Sequence, residues 1–395
     1  MKAVCYEKHG DVKKVLVIKD VQTCPPPSSS QLRVRVRAAS INPADWKSSS
    51  GEQKLLIKFQ WPRVVGFDFS GEVERVGVGV GVGIGVDDND EENWKVGDLV
   101  FGMIAGLPQL HKGTMSELIL VEKFCCARCP PPSSQLNTEK FDVHALCAGV
   151  PLVGITALKM FSACGLIASD KNDNRQKRVL ITGGSGGVGT AAIQLAVNHF
   201  GVSKTNVFTT CSSLKSDLCG RLGAGNCVDY RKEKFEKTLA TSSFDELFDL
   251  ILDCTDEAGK CVGLLKPRVG VLCSILAGPT AVALRTWLAE SKISDADITV
   301  GVKGFLMSDW GGRIFELVSG ARALKKRCRE RGGCEFKHVI GTGDGEMCEI
   351  LGKLMATGLF VPCVDSLFEM VDAVEAFVYQ MGGIKHGGKV VVRIN

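Results

Sequence analysis

A chain of 395 residues is long enough for two sizeable domains. With 45% hydrophobic and 23% charged residues it has the composition of an ordinary globular protein. A net charge of +4 is too small to argue for a nucleic acid or a membrane surface as partner, and no apolar run reaches the roughly 18 residues of a membrane-spanning helix.

The first ~145 residues carry strand signals. Met1-Lys-Ala-Val-Cys-Tyr6 alternates like a strand and leaves no room for a signal or transit peptide. Gln31-Leu-Arg-Val-Arg-Val-Arg37 and Gly71-Glu-Val-Glu-Arg-Val76 alternate with period two, punctuated by Pro25–Pro27, Pro43, Pro62 and Pro130–Pro132. Val76–Val86 is almost pure Gly-Val and runs into the acidic stretch Asp87–Glu92, which reads as a mobile hairpin extension. Seventeen cysteines without a secretory leader read as reduced, mostly buried thiols, which places the protein in the cytoplasm. The tightest group, Cys125, Cys126 and Cys129, lacks the second pair that a structural zinc site needs.

From about Leu146 helices and strands alternate. The strands are expected at Val179–Thr182, Val207–Thr210, Leu250–Asp253, Val269–Ile275 and Glu335–Ile340, with a charged amphipathic helix over Arg313–Arg331. That alternation predicts an α/β fold with a parallel, doubly wound sheet. After Gly341 come helices over Met347–Thr357 and Val371–Met381, then a strand at Val390–Asn395. Residues 1–147 and 341–395 are thus expected to build one β-rich domain, with a nucleotide domain, 148–340, inserted between them. The basic cluster Lys325, Lys326, Arg327, Arg329 and Arg331 reads as a solvated helix face.

The most informative stretch is Val179-Leu-Ile-Thr-Gly-Gly-Ser-Gly-Gly-Val-Gly-Thr190. A strand enters a turn of five glycines, and an apolar helical pattern (Ala191, Ile193, Leu195, Ala196, Val197) leaves it. Gly184, Gly186 and Gly189 fit the spacing of a dinucleotide-binding βαβ unit. One glycine allows the tight turn, one lets backbone approach a pyrophosphate, and one lets helix pack on strand. The helix N-terminus offers its free N–H groups to the phosphates, so Ser185, Gly187 and Val188 join the candidate site. An NAD site presents an acid about 20 residues further on, at the end of the second strand. This chain has Cys211-Ser-Ser-Leu-Lys215 there. Ser212, Ser213 and Lys215 suit a 2′-phosphate, so NADPH is the expected cofactor; Lys215 alternatively begins a solvated helix.

Several segments together resemble the zinc-independent quinone oxidoreductase branch of the medium-chain dehydrogenase/reductase family. They are Ser40-Ile-Asn-Pro-Ala-Asp-Trp-Lys47, Gly66-Phe-Asp-Phe-Ser-Gly71, Lys95-Val-Gly-Asp-Leu-Val-Phe-Gly102, Pro151-Leu-Val-Gly-Ile-Thr-Ala157 and the glycine turn. Leu222-Gly-Ala-Gly-Asn-Cys-Val-Asp-Tyr230 and His386-Gly-Gly-Lys-Val-Val391 continue the match in family order. The resemblance implies a Rossmann domain inserted into a GroES-like β domain, with the active-site cleft between them, and a homodimer. The Gly-Val/acidic insertion near 81–93 and extra length around 310–335 depart from it.

The positions matching two zinc ligands of the family's alcohol dehydrogenases are Asn42 and Phe67, poor and impossible zinc ligands respectively. The resemblance therefore implies metal-free hydride transfer to quinones or α,β-unsaturated carbonyls. Asn42 and Lys47 are candidate donors to the substrate oxygen. Asn42 is otherwise a turn residue before Pro43, and Lys47 an exposed lysine. Asp45 reads as an anchor rather than an acid. Thr156 matches a threonine near the nicotinamide, or is a helix-surface hydroxyl. Tyr230 matches a tyrosine beside the ribose phosphate, or is a half-buried strand-end aromatic. No tyrosine follows Trp46 where the family's enoyl thioester reductases place one, so solvent protonation is the simpler expectation. The alternatives are an enone-specific reductase and a non-catalytic NADPH-binding scaffold or sensor.

Overall fold

The structure, a computed structural model, describes residues 1–50, 61–77, 94–104, 113–131, 140–275 and 321–394. The expected extension beyond Gly77, and residues 313–320 of the expected charged helix, lie outside the described residues.

Three sheets organise the chain. In the first, β1 (Lys2–Tyr6) is flanked by β2 (Val17–Asp20) and joins β4 (Arg63–Val64). The second is built on β3 (Gln31–Ile41), whose alternating valines and arginines bury one face and wet the other. β5 (Asp68–Val76), β6 (Leu99–Met103), β7 (Leu118–Glu122) and β8 (Cys126–Arg128) extend it.

The third sheet is parallel throughout. It comprises β9 (Val179–Ile181), β10 (Val207–Cys211), β11 (Asn226–Asp229), β12 (Leu250–Asp253), β13 (Val271–Ser274) and β14 (Glu335–His338), in the order β11-β10-β9-β12-β13-β14. That is the doubly wound order with its reversal at β9, where such sheets bind ligands. Its short strands are apolar on both faces because helices cover both. Leu180, Ile251 and Leu272 pack one way, with Phe248 and Val262. Val179, Ile181, Leu252 and Cys273 pack the other, into the core shared with β3 and β5.

The C-terminal segment returns to the second sheet through β15 (Val364–Glu369) and β16 (Lys389–Arg393). β16 pairs antiparallel with β3, Val390 opposite Ile41, so that sheet contains strands from both ends of the chain. The expected helices appear as Gly345–Ala356 and Ala373–Met381, and a basic helix spans Ala321–Glu330.

Candidate active site

The glycine turn leaves the carboxyl end of β9 and enters the helix Gly187–Gln194. Gly183, at φ +65°, makes the reversal, and its N–H donates to Thr210 Oγ1 at 2.9 Å. A Cβ on Gly184 would strike Thr209, and one on Gly189 would strike the Gly183 carbonyl and come within 2.6 Å of Gly184 Cα. These two glycines serve close packing. Gly186 differs: a Cβ there meets only Gly183 O, at 3.3 Å. Its outer side is the open edge along which backbone can approach a pyrophosphate, beside the helix N-terminus. The turn is also tied to the other sheet's end segment, since Gly388 N–H donates to Ser185 O at 3.0 Å and Gly186 forms a parallel bridge with Gly388.

Past β10, Ser212 is buried and Ser213 exposed. The sequence shows no acid at this strand end, yet the fold supplies one from the neighbouring strand. Ser213 donates both its N–H (2.9 Å) and its hydroxyl to the half-buried Asp229 carboxylate, at the end of β11. That hydroxyl bond holds the Asp229 pKa below the usual carboxylate range. Lys215 is half-buried, and its Nζ donates to Ile384 O at 2.7 Å, so it spans from the parallel sheet to the C-terminal segment rather than merely opening a solvated helix. A cavity of about 520 Å³ borders this loop, with Leu214, Arg221, Lys385 and His386 in its wall. Tyr230 is 51% exposed and carries Arg231 against its ring.

Beneath the turn lies a buried polar knot that joins β3, β5 and β16. Asp68, wholly buried, accepts from Ser40 Oγ (2.7 Å), Asn42 Nδ2 (2.9 Å) and Leu152 N–H (2.8 Å), the last capping the helix Pro151–Ala163. Lys389 Nζ lies 3.6 Å from the same carboxylate and donates to Ile41 O (2.9 Å) and to Asn42 Oδ1. Burial pushes the Lys389 pKa down, and Asp68 and Asp45 oppose that shift. Asp45 accepts from the N–H groups of Asn42 (2.8 Å) and Gly66 (2.9 Å). Its burial outweighs both bonds and the nearby ammonium, and raises its pKa to about 7. Asp45 is thus an anchor, as its place in the sequence suggested.

Asn42 differs from the expected open donor in being 1% exposed, with its amide oxygen engaged by Lys389 and one amide hydrogen by Asp68. Lys47 is half-buried with its ammonium 5.7 Å from the centre of the Trp46 ring, and Trp46 Nε1 donates to Gln380 (2.9 Å). Thr156 is buried in its helix, against Gly341, and is not a surface hydroxyl. Phe67 is buried and brings no donor atom. Among the described residues no three His, Cys, Asp or Glu side chains are grouped to hold a metal ion, and no helix is long and apolar enough to cross a membrane. Asp68 and Lys389 were missed as site residues, although both stand inside quoted motifs; a buried-charge pattern (an acid and a lysine amid apolar residues) was the available signal.

Comparison with known proteins gives the same picture. Residues 28–131 match the alcohol dehydrogenase GroES-like domain and residues 222–392 the zinc-binding dehydrogenase domain. The chain is 28% identical to the chloroplastic quinone-oxidoreductase QR1 of Triphysaria versicolor, over 99% of this chain and 98% of that one. It is 31% identical to the trans-enoyl reductase pgmF of Aspergillus terreus, over 92% and 86% of the two chains. The Escherichia coli quinone oxidoreductase, solved in complex with NADPH, shares the fold with a TM-score of 0.68 over the full length of both chains, at 18% identity.

Proposed function

The chain belongs to the medium-chain dehydrogenase/reductase family, in its quinone oxidoreductase branch, and from that premise we propose that it is an NADPH-dependent reductase of quinones or α,β-unsaturated carbonyls that works without catalytic zinc. The observation that carries this reading is the glycine turn: Gly184 and Gly189 are filled by their neighbours while Gly186 leaves an approachable backbone edge, at the reversal point of a parallel sheet.

The residues present fit the cofactor. The Gly186–Gly189 backbone receives the pyrophosphate, Ser212, Ser213 and Lys215 the ribose phosphate with Tyr230 beside it, and Thr156 lies on the nicotinamide side. A bound reduced nicotinamide supplies the hydride. Negative charge then grows on the acceptor's carbonyl oxygen, and a donor aimed at that oxygen lowers the barrier. We assign this role to Lys47, whereas Asn42 is held by Asp68 and Lys389. The enolate or hydroquinone takes its proton from water. A residue without donor atoms (Phe67) and an amide already engaged (Asn42) stand at two of the family's zinc-ligand positions, which supports a metal-free reading.

Asp229 favours a second reading of cofactor choice, because a carboxylate beside Ser213 is placed to accept from a ribose 2′-hydroxyl, as in NADH sites. The seventeen free thiols fit a reducing compartment, and we place the enzyme in the cytoplasm as a homodimer. The activity test follows NADPH absorbance with 9,10-phenanthrenequinone and with an alkenal in parallel. Oxidation with the alkenal alone selects the enone-specific reductase. No turnover with either, despite measured NADPH binding, selects the non-catalytic scaffold.

A further inference from the structure

Three thiols meet beneath the loop assigned to the ribose phosphate. Cys211 ends β10, Cys227 lies on β11 opposite Thr209, and Cys219 sits on the helix Ser216–Leu222, which packs on both strands. Thr209 pairs with Cys227 and Cys211 with Asp229, so these four side chains share one face of the sheet. The register and the helix packed on both strands bring the three thiols to one place, where Cys227 Sγ donates to Ser216 O at 3.8 Å. Cys211 and Cys219 are buried, whereas Cys227 reaches solvent.

The neighbouring Cys211 and Cys219 thiols lower the Cys227 pKa, and its exposure lets water solvate the thiolate. The neighbouring Cys211 and Cys227 thiols push the Cys219 pKa up. An accessible thiolate in contact with further thiols is the arrangement of an oxidisable cysteine with a resolving partner.

Resting on the cofactor site assigned above, we propose that this cluster is a peroxide-sensitive disulfide site: oxidised Cys227 bonds to Cys211 or Cys219, shifts the 212–215 loop and weakens nucleotide binding. In the first step the Cys227 thiolate attacks the O–O bond of hydrogen peroxide, becoming a sulfenic acid as hydroxide leaves and takes up a proton. In the second the neighbouring thiol attacks that sulfur. An S–S bond forms, the S–O bond breaks, and the hydroxyl departs with the thiol's proton as water. Overall two thiols give up two electrons and two protons, and one peroxide becomes two waters.

The consequence for the loop follows from its anchors. Ser213 hangs on Asp229, two residues beyond Cys227, and Ser212 follows Cys211 directly. Drawing two of these sulfurs into a covalent bond moves one of these supports.

The test uses the full chain, reduced and desalted, with and without hydrogen peroxide. Open thiols are alkylated and peptides mapped by mass spectrometry, and NADPH affinity is titrated by fluorescence. We expect a cross-linked peptide joining Cys227 to Cys211 or Cys219, and a roughly tenfold rise in the NADPH Kd. Dithiothreitol should reverse both, and Cys227→Ser should show neither. The proposal is overturned if Cys227 stays open to alkylation after peroxide, or if the cross-link forms and the Kd does not move. Should reduced wild-type protein bind no NADPH, the cofactor reading fails and takes the loop effect with it, while the peptide map still decides the thiol chemistry.

Discussion

Lys389 Nζ stands 3.6 Å from Asp68 Oδ2 with both side chains sealed from solvent, and this pair fastens the last strand of the chain to the start of β5. Removing one partner strands a buried charge, which costs about 3–5 kcal/mol. Lys389→Met should therefore lower the urea midpoint sharply, and the double variant Lys389→Met/Asp68→Asn should recover part of the loss. A wild-type midpoint in the single variant would show that the pair contributes nothing.

Asp45 makes stability depend on pH with an unusual sign. Its folded pKa, about 7, lies above the unfolded value, so the native state holds the extra proton. The stabilisation is complete below about pH 4 and is lost as pH rises through 7. Urea melts at pH 5 and pH 8 should differ by roughly 1–3 kcal/mol more in wild type than in Asp45→Asn, with wild type weaker at pH 8. Equal pH slopes in the two proteins would refute the assignment.

The two outer functions of the glycine turn separate by substitution. Gly189→Ala forces a methyl onto the Gly183 carbonyl and should cost about 1–3 kcal/mol of stability. Gly186→Ala should leave stability within about 0.5 kcal/mol, because its Cβ meets little. Its nucleotide affinity should nonetheless fall at least tenfold. Melting temperature and NADPH titration on the two variants read these outcomes. A Gly186→Ala protein that binds NADPH normally would remove that residue from the cofactor site.

Cofactor choice rests on Lys215 against Asp229. Lys215→Ala should raise the Kd for NADPH about tenfold while leaving NADH within about twofold, the loss of one charge-assisted contact. Asp229→Asn should do the reverse and weaken NADH selectively. If Lys215→Ala weakens both equally, its bond to Ile384 O matters through the fold and the phosphate assignment is wrong.

Much of the architecture was legible because periodicity is local. The β9 strand, the glycine turn and its helix sit within a dozen residues, and the spacing alone exposes them. What the sequence hid was side-chain traffic between distant segments. Asn42 reads as an available donor until Lys389 and Asp68 are seen to occupy it. The strand end at Ser212 and Ser213 reads as lacking an acid, because Asp229 arrives from the adjacent strand through parallel pairing. Thr156 reads as either buried or exposed, since its helix is apolar on most sides and Gly341, far along the chain, packs against it.

The pairing of β16 with β3 has a consequence for biosynthesis. β3 is made long before β16, so its Ala38–Ile41 stretch lacks that partner until residue 393 is made, although β7 already covers Gln31–Arg35. The parallel sheet between them can close meanwhile, since all its strands lie within the intervening stretch. That sheet therefore stays incomplete until residue 393, and the open half-edge of β3 is a place for wrong pairing during that interval.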